Sequence, residues 1–237
     1  MMVSPRARVT SGAHDRGGPV SEPNLDLLLR RRLEQGLEGL GLALGGSQQD
    51  LLIGYLALLV QWNAVYNLTA VREPAEMLAL HLLDSLAIAD LVGETRSGEL
   101  LDVGTGAGLP GIPLAIAFPE RQTRLVDAVS KKISYLLHVK VALKLANIEP
   151  QHARIEALTL AEAPSCIVSR AYSDLTRTIA SIDHLADDST TLIAMKGVTP
   201  IAELAALPAS WEVLEVRDLH VPFINAQRCA VVLRRAS

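Results

Sequence analysis

Three groups of residues in this chain have the types and spacing to do chemistry. Glycines alternate in the run Leu101-Asp102-Val103-Gly104-Thr105-Gly106-Ala107-Gly108-Leu109-Pro110-Gly111. Two acids accompany them: Asp102 just before the first glycine, and Asp127 at the end of the next apolar run, 23 residues after Gly104. Two cations, Arg170 and Lys196, close later apolar runs. Alternate glycines let a backbone turn sharply and approach a ligand closely. The spacing is not the dinucleotide fingerprint Gly-x-Gly-x-x-Gly, because Gly108 comes one place early and Leu109 stands where the third glycine belongs. Asp102 would repel a pyrophosphate and suits a ligand with a cationic amino group. No Gly-Lys-Ser/Thr follows, which argues against a nucleoside triphosphate. S-adenosylmethionine, with an ammonium and a sulfonium, meets these demands better than a nicotinamide cofactor. The bare alternative is a tight strand-to-helix turn without a ligand.

The remaining candidates each have two readings. Asp127 can accept hydrogen bonds from ribose hydroxyls or cap the helix that opens at Ser130. Glu156 follows a weak strand and either frames an adenine or is a solvated acid. Arg170 and Lys196 fall on the same sheet edge as the glycine loop, as phosphate contacts or as surface charge. His81 is a weak catalytic candidate, and a packed, hydrogen-bonded histidine is the alternative. No His-Glu-x-x-His pair, nucleophile elbow or paired catalytic carboxylates occur, and no metal is expected. Arg30, Arg31 and Arg32 form the one basic triplet.

These residues need elements to position them. From Asn24 to about Val92 the pattern is helical, with Leu25, Leu28, Leu29, Leu33, Leu37 and Leu40 at spacings of three and four. Ser47 is read as the cap of a second helix over 48–66, and Pro74 opens a third over 74–91. From Glu99 short apolar strands alternate with helices. Strands are expected over 100–103, 123–126, 166–169 and 190–195, with a weak one near Ala153. Helices are expected over 110–118, 130–147 and 175–185. Two closing runs, 211–219 and 229–233, suggest an antiparallel hairpin. This is an α/β pattern: a mainly parallel, doubly wound sheet with an antiparallel last strand and a helical N-terminal extension. The expected division is a disordered tail over 1–22, the extension over 23–97 and the ligand-binding core over 98–237.

The chain has 237 residues, 49% apolar and 20% charged, an ordinary globular balance. A net charge of −4 argues against coating nucleic acid by bulk charge but permits a local basic patch. Cys166 and Cys229 sit in apolar runs and are read as buried, reduced thiols. The densest apolar run, Leu51–Val60, is ten residues long, against the ~20 that span a bilayer. With no signal-peptide core, the expected location is cytoplasmic and no membrane is expected as a partner.

The stretch from Asp102 to Leu114 resembles the signature of the small-subunit ribosomal RNA guanine-N7 methyltransferases, also called glucose-inhibited division protein B. Trp62-Asn63, Asn67-Leu68-Thr69-Ala70-Val71-Arg72, His81-Leu82-Leu83-Asp84-Ser85, Ser169-Arg170-Ala171 and Lys196-Gly197 resemble its other elements. The resemblance runs from about Leu51 to Leu233. It implies a class I methyltransferase (Rossmann-like) fold, S-adenosylmethionine as methyl donor, and N7 of a guanine in 16S rRNA as acceptor; the net charge of −4 and the few aromatics add the expectation that this RNA is presented within the small ribosomal subunit or its precursor. No obligate protein partner is implied. By position it assigns the cofactor to Gly104, Leu109, Ile155, Glu156 and Arg170, beside Asp102, Gly106 and Asp127 of the glycine-loop reading. Arg72, Lys196 and Arg170 become the expected RNA contacts. Ala107, where proline is more usual, is the one departure inside the signature. The rival readings are a methyltransferase of another RNA base or acceptor, a non-enzymatic ribosome-binding factor, and a nicotinamide dehydrogenase.

Overall fold

A computed structural model describes residues 22–236. Residues 1–21, nearly all of the expected tail, lie outside the described residues, and Glu22 already belongs to the first helix. Seven strands form one sheet: β1 (Leu100–Val103), β2 (Thr123–Asp127), β3 (Ile148–His152), β4 (Cys166–Arg170), β5 (Thr191–Lys196), β6 (Trp211–Asp218) and β7 (Cys229–Arg235). Their order is β3-β2-β1-β4-β5-β7-β6. The first five are parallel, and β7 runs antiparallel between β5 and β6. The expected doubly wound sheet with its closing hairpin is therefore present. The connection reverses direction between β1 and β4, which opens a crevice at their carboxyl ends.

The helices are α1 (Glu22–Gly39), α2 (Gly46–Tyr66), α3 (Pro74–Met77), α4 (Asp84–Leu86), α5 (Ala89–Glu94), α6 (Gly111–Ala117), α7 (Ser130–Ala142), α8 (Leu175–Ile182) and α9 (Ile201–Ala205). A π-helical segment, Leu78–Leu83, joins α3 to α4. The helical turn thus widens inside the helix expected over 74–91, and π turns often mark functional positions.

Local details depart from the sequence reading for identifiable reasons. In α1 the buried stripe is Leu29, Leu33 and Leu37, one every four residues, whereas Leu25 and Leu28 are exposed. Gly45, not Ser47, precedes α2, and the Gln48 side chain accepts its N–H at 3.0 Å. The helix expected over 130–147 stops at Ala142. Lys144 adopts φ +54°, and Leu145 N–H reaches back to the Lys140 carbonyl at 3.0 Å. That is a Schellman ending with lysine in the place glycine usually takes. The weak strand lies earlier than Ala153, at the sheet edge, where Pro150 costs no ladder bond.

Extension and sheet share one apolar cluster. Leu33, Leu56, Tyr55 and Leu82 of the helical stretch pack with Ile112, Leu125, Leu136 and Ile148. On the opposite face α8 packs Leu175, Ile179 and Ile182 against Leu101, Ile167 and Leu192. Both cysteines are buried and free, and burial pushes the Cys166 thiol up to about 12. Among the described residues, no helix is long and apolar enough to cross a membrane. Leu33 is wholly buried in the shared cluster, so Leu33→Ala is expected to cost about 2–5 kcal/mol. Urea unfolding followed by far-UV and near-UV signals should show one shifted transition. A separate early transition confined to helical signal would contradict the shared core.

Candidate active site

The glycine loop leaves β1 at the crevice, and three of its residues take left-handed backbone angles: Gly104 at φ +68°, Gly106 at +61° and Gly108 at +93°. Side chains fix the loop from three directions. Asp102, fully buried, accepts through Oδ2 from the Thr105 hydroxyl at 2.6 Å and from Gly111 N–H at 2.8 Å. Its Oδ1 is buried without a partner. Burial pushes this carboxyl up to about 6. Asp127 accepts through Oδ2 from Gly106 N–H at 3.0 Å and from Lys132 Nζ at 3.1 Å, and through Oδ1 from Val129 N–H at 2.9 Å. From below, the wholly buried Tyr55 of α2 donates to the Ala107 carbonyl at 2.7 Å.

Two chambers meet at Gly104. The larger, about 550 Å³, is lined by Gly104, Gly106, Leu109, Arg170, Lys196 and His81 among others. The smaller, about 180 Å³, is lined by Gly104, Asp127, Ile155, Glu156 and Tyr172. The Tyr172 ring rests on Gly104, and a Cβ built there would meet its Cδ2 at 2.5 Å. Gly104, Gly106, Leu109, Asp127, Ile155, Glu156 and Arg170 are thereby brought to one crevice. Asp102 is not among the lining residues of either chamber. Its hydrogen bonds tie the loop together beneath the backbone that borders both chambers.

The expected RNA cations are more engaged than free charges would be. Lys196 Nζ donates to the Ser173 carbonyl and to Glu203 Oε2, each at 2.8 Å. Arg170 Nη1 donates to the Leu80 carbonyl and to Asp84 Oδ2, each at 3.0 Å. Arg72 is exposed, and its guanidinium donates to the Asn63 carbonyl at 3.2 Å and to Asn67 Oδ1 at 2.6 Å. In the triplet, Arg30 is paired with Asp26 and Asp50, and Arg32 lies over the Phe223 ring. His81 is buried and shares a 2.8 Å hydrogen bond with Thr69 through Nε2. Burial first, then the charge of Arg170, holds its imidazole below the ordinary value. That is the environment of a neutral packed histidine.

Four lining or supporting residues carried little or no sequence signal. Tyr172 follows the Ser169-Arg170-Ala171 element, and Asp84 lies within the His81–Ser85 element, so adjacency was their only mark. Tyr55 reads as one more apolar position of α2. Arg228 sits alone in the loop before β7. Among the described residues, no three His, Cys, Asp or Glu side chains gather as a metal site.

The sheet order, the switch-point crevice and the glycine loop define a class I methyltransferase. The crystal structure of a SAM dependent methyltransferase from Aquifex aeolicus has the same fold, with a TM-score of 0.52 at 18% identity over 68% of this chain and 93% of that one. A family model for rRNA small subunit methyltransferase G (GidB) matches residues 48–232. The ribosomal RNA small subunit methyltransferase G of Stutzerimonas stutzeri (strain A1501) is 46% identical over 218 residues, 92% of this chain and 99% of that protein. Its counterpart in Pseudomonas fluorescens (strain Pf0-1) is 45% identical over 205 residues, covering 86% and 94%. The chain belongs to the rRNA small subunit methyltransferase G family.

Asp102 yields a test of the loop's construction. Its carboxyl stands near 6 when folded against an ordinary 3.8. Between those values the unfolded chain has lost the proton and the folded chain keeps it, so stability falls as pH rises from about 4 to about 6. Asp102→Asn keeps an acceptor for Thr105 and Gly111 and is expected to abolish that fall. Relative to wild type, it should gain up to about 3 kcal/mol between these pH values. Urea unfolding across the range measures it, and a constant difference would place the titration elsewhere.

Proposed function

We infer that the chain transfers the methyl group of S-adenosylmethionine to N7 of a guanine in 16S rRNA, presented by the small ribosomal subunit or its precursor in the cytoplasm. The observation that carries this reading is the meeting of two chambers at Gly104, one beside the Asp127 carboxylate and one bordered by Arg170 and Lys196, in a chain of this family.

The residues present suit the donor. Asp127 uses three of roughly four acceptor positions inside the protein and so retains capacity for a ribose hydroxyl. Ile155 and Glu156 flank the same small chamber and would hold the adenine. Gly104, Gly106 and Leu109 offer backbone along the path to the large chamber, and Asp102 keeps that backbone in place. When bound, S-adenosylmethionine supplies an electrophilic methyl on a sulfonium. Guanine N7 presents an in-plane lone pair and carries no proton, so no side chain has to act as a general base. The chain's contribution is alignment, worth up to roughly 7–11 kcal/mol in favourable cases. His81, neutral and bonded to Thr69, fits a positioning role for the 67–72 segment. Arg72, exposed beside the chamber-lining Val71, and Lys196 and Arg170 in the wall are the proposed RNA contacts.

The direct test is mass spectrometry of 16S rRNA nucleosides from cells with and without the gene, which should show loss of one N7-methylguanosine. With purified protein, small subunits should be methylated much faster than a short hairpin, because the net charge of −4 gives little long-range attraction to naked RNA. Equal rates would mean that local base recognition suffices. Asp127→Ala should weaken S-adenosylhomocysteine binding by about 1–3 kcal/mol in calorimetry. Unchanged affinity would leave Asp127 a purely structural residue of the loop.

A further inference from the structure

We propose that Arg228 and Arg170, set by the shared carboxylate of Asp84, form a clamp for a phosphodiester group of the acceptor RNA; this rests on reading the crevice as the site of rRNA methylation. The three side chains come from three distant segments. Asp84 opens α4 directly after the π-helical segment, Arg170 ends β4, and Arg228 immediately precedes β7. Asp84 Oδ2 accepts from Arg170 Nη1 at 3.0 Å, and Asp84 Oδ1 accepts from Arg228 Nε at 2.9 Å. Arg228 Nη1 also donates to the Gln227 carbonyl at 2.9 Å.

Charge and geometry both point to an anion. One carboxylate, its side chain 5% exposed, faces two guanidiniums, so the group keeps one net positive charge at the wall of the large chamber. The third cation of that wall, Lys196, is matched by Glu203. The surplus charge of the chamber therefore belongs to the arginine pair. Among the described residues, Nη2 of neither arginine has a protein partner, and neither atom is a buried orphan. These donors remain open to a ligand. A guanidinium presents its N–H groups in a planar fork that matches phosphate oxygens. Because Asp84 already holds both long side chains, less rotamer freedom remains to be lost on binding. A chain of net charge −4 needs such a local concentration of positive charge to meet a polyanion. Asp84 is the positioning residue of this clamp and Arg228 its principal donor.

The experiment measures methyl transfer to intact small subunits lacking the modification, over a range of salt, and cofactor affinity separately by calorimetry. Arg228→Gln is expected to raise KM for subunits about tenfold. It should also flatten the logarithmic salt dependence by about one unit. Its dissociation constant for S-adenosylhomocysteine should stay within about twofold of wild type. Arg228→Lys should keep the salt slope and raise KM, since the charge remains and the fork is lost; it carries the test if the glutamine variant misfolds. Asp84→Asn should raise KM without changing the salt slope. Normal KM and slope in Arg228→Gln would overturn the clamp. Weakened cofactor binding with an unchanged slope would also overturn it, by assigning the anion to the cofactor's carboxylate. Wild-type protein that transfers no methyl to subunits would instead remove the underlying functional reading.

Discussion

The glycine loop stands because a buried carboxylate lies under it. Alternate glycines confer freedom, and freedom alone leaves a loop unfixed; here Asp102 Oδ2 gathers the Thr105 hydroxyl and the Gly111 N–H into one acceptor. That single oxygen ties the start of the loop to the first turn of α6. Burying the carboxylate is unfavourable for its charged form, which is why its proton is held up to about 6. The same closeness makes Gly111 obligatory, because a Cβ there would meet the Asp102 side chain and Leu125. Asp127 and Tyr55 complete the frame from the side and from below. The crevice is therefore shaped by polar groups inside the protein before any ligand enters it.

This frame gives the helical extension a physical role. Tyr55 of α2 reaches the loop, and Asp84, just past the π-helical segment, reaches the ends of β4 and β7. The apolar cluster that holds α1 and α2 against α6 and α7 is what keeps these two polar contacts in register. An extension that merely covered the sheet would need only apolar residues. This one delivers a hydroxyl and a carboxylate to the sheet edge that carries the glycine loop, each buried and each bonded.

Much of the fold was legible because its signals are local. Apolar runs of four to six residues alternating with helical periodicity mark a parallel sheet wherever they occur, and the alternate glycines after Val103 mark the crevice. Asp127 was legible for the same reason: a strand end followed by a helix start fixes its place. What the sequence concealed depends on direction or on distance. Asp102 was recognisable as an acid beside the loop, but not as one turned beneath it. Lys196 was recognisable as a cation at a strand end, but not as one already held by Glu203. The ending of α7 at Lys144 lacks the glycine that would have announced it. Arg228 meets Asp84 across 144 positions of chain, and no short pattern encodes such a pair.

The pairing of its cations reconciles an acidic chain with a polyanionic substrate. If Arg170, Lys196 and Lys132 were unpaired, the crevice would attract any nucleic acid, since phosphate contacts carry no sequence information. Lys196 and Lys132 instead each have an internal carboxylate, Glu203 and Asp127, and Arg170 shares that of Asp84 with Arg228, which leaves one positive charge over. The partners cancel most of the long-range field while leaving N–H donors in fixed directions. Attraction at a distance is then weak, and an RNA that used those donors would have to bring its phosphates to them by shape. The acids beside the cations thus exchange general affinity for geometric selection. That exchange suits an enzyme whose acceptor guanine is one among many in 16S rRNA.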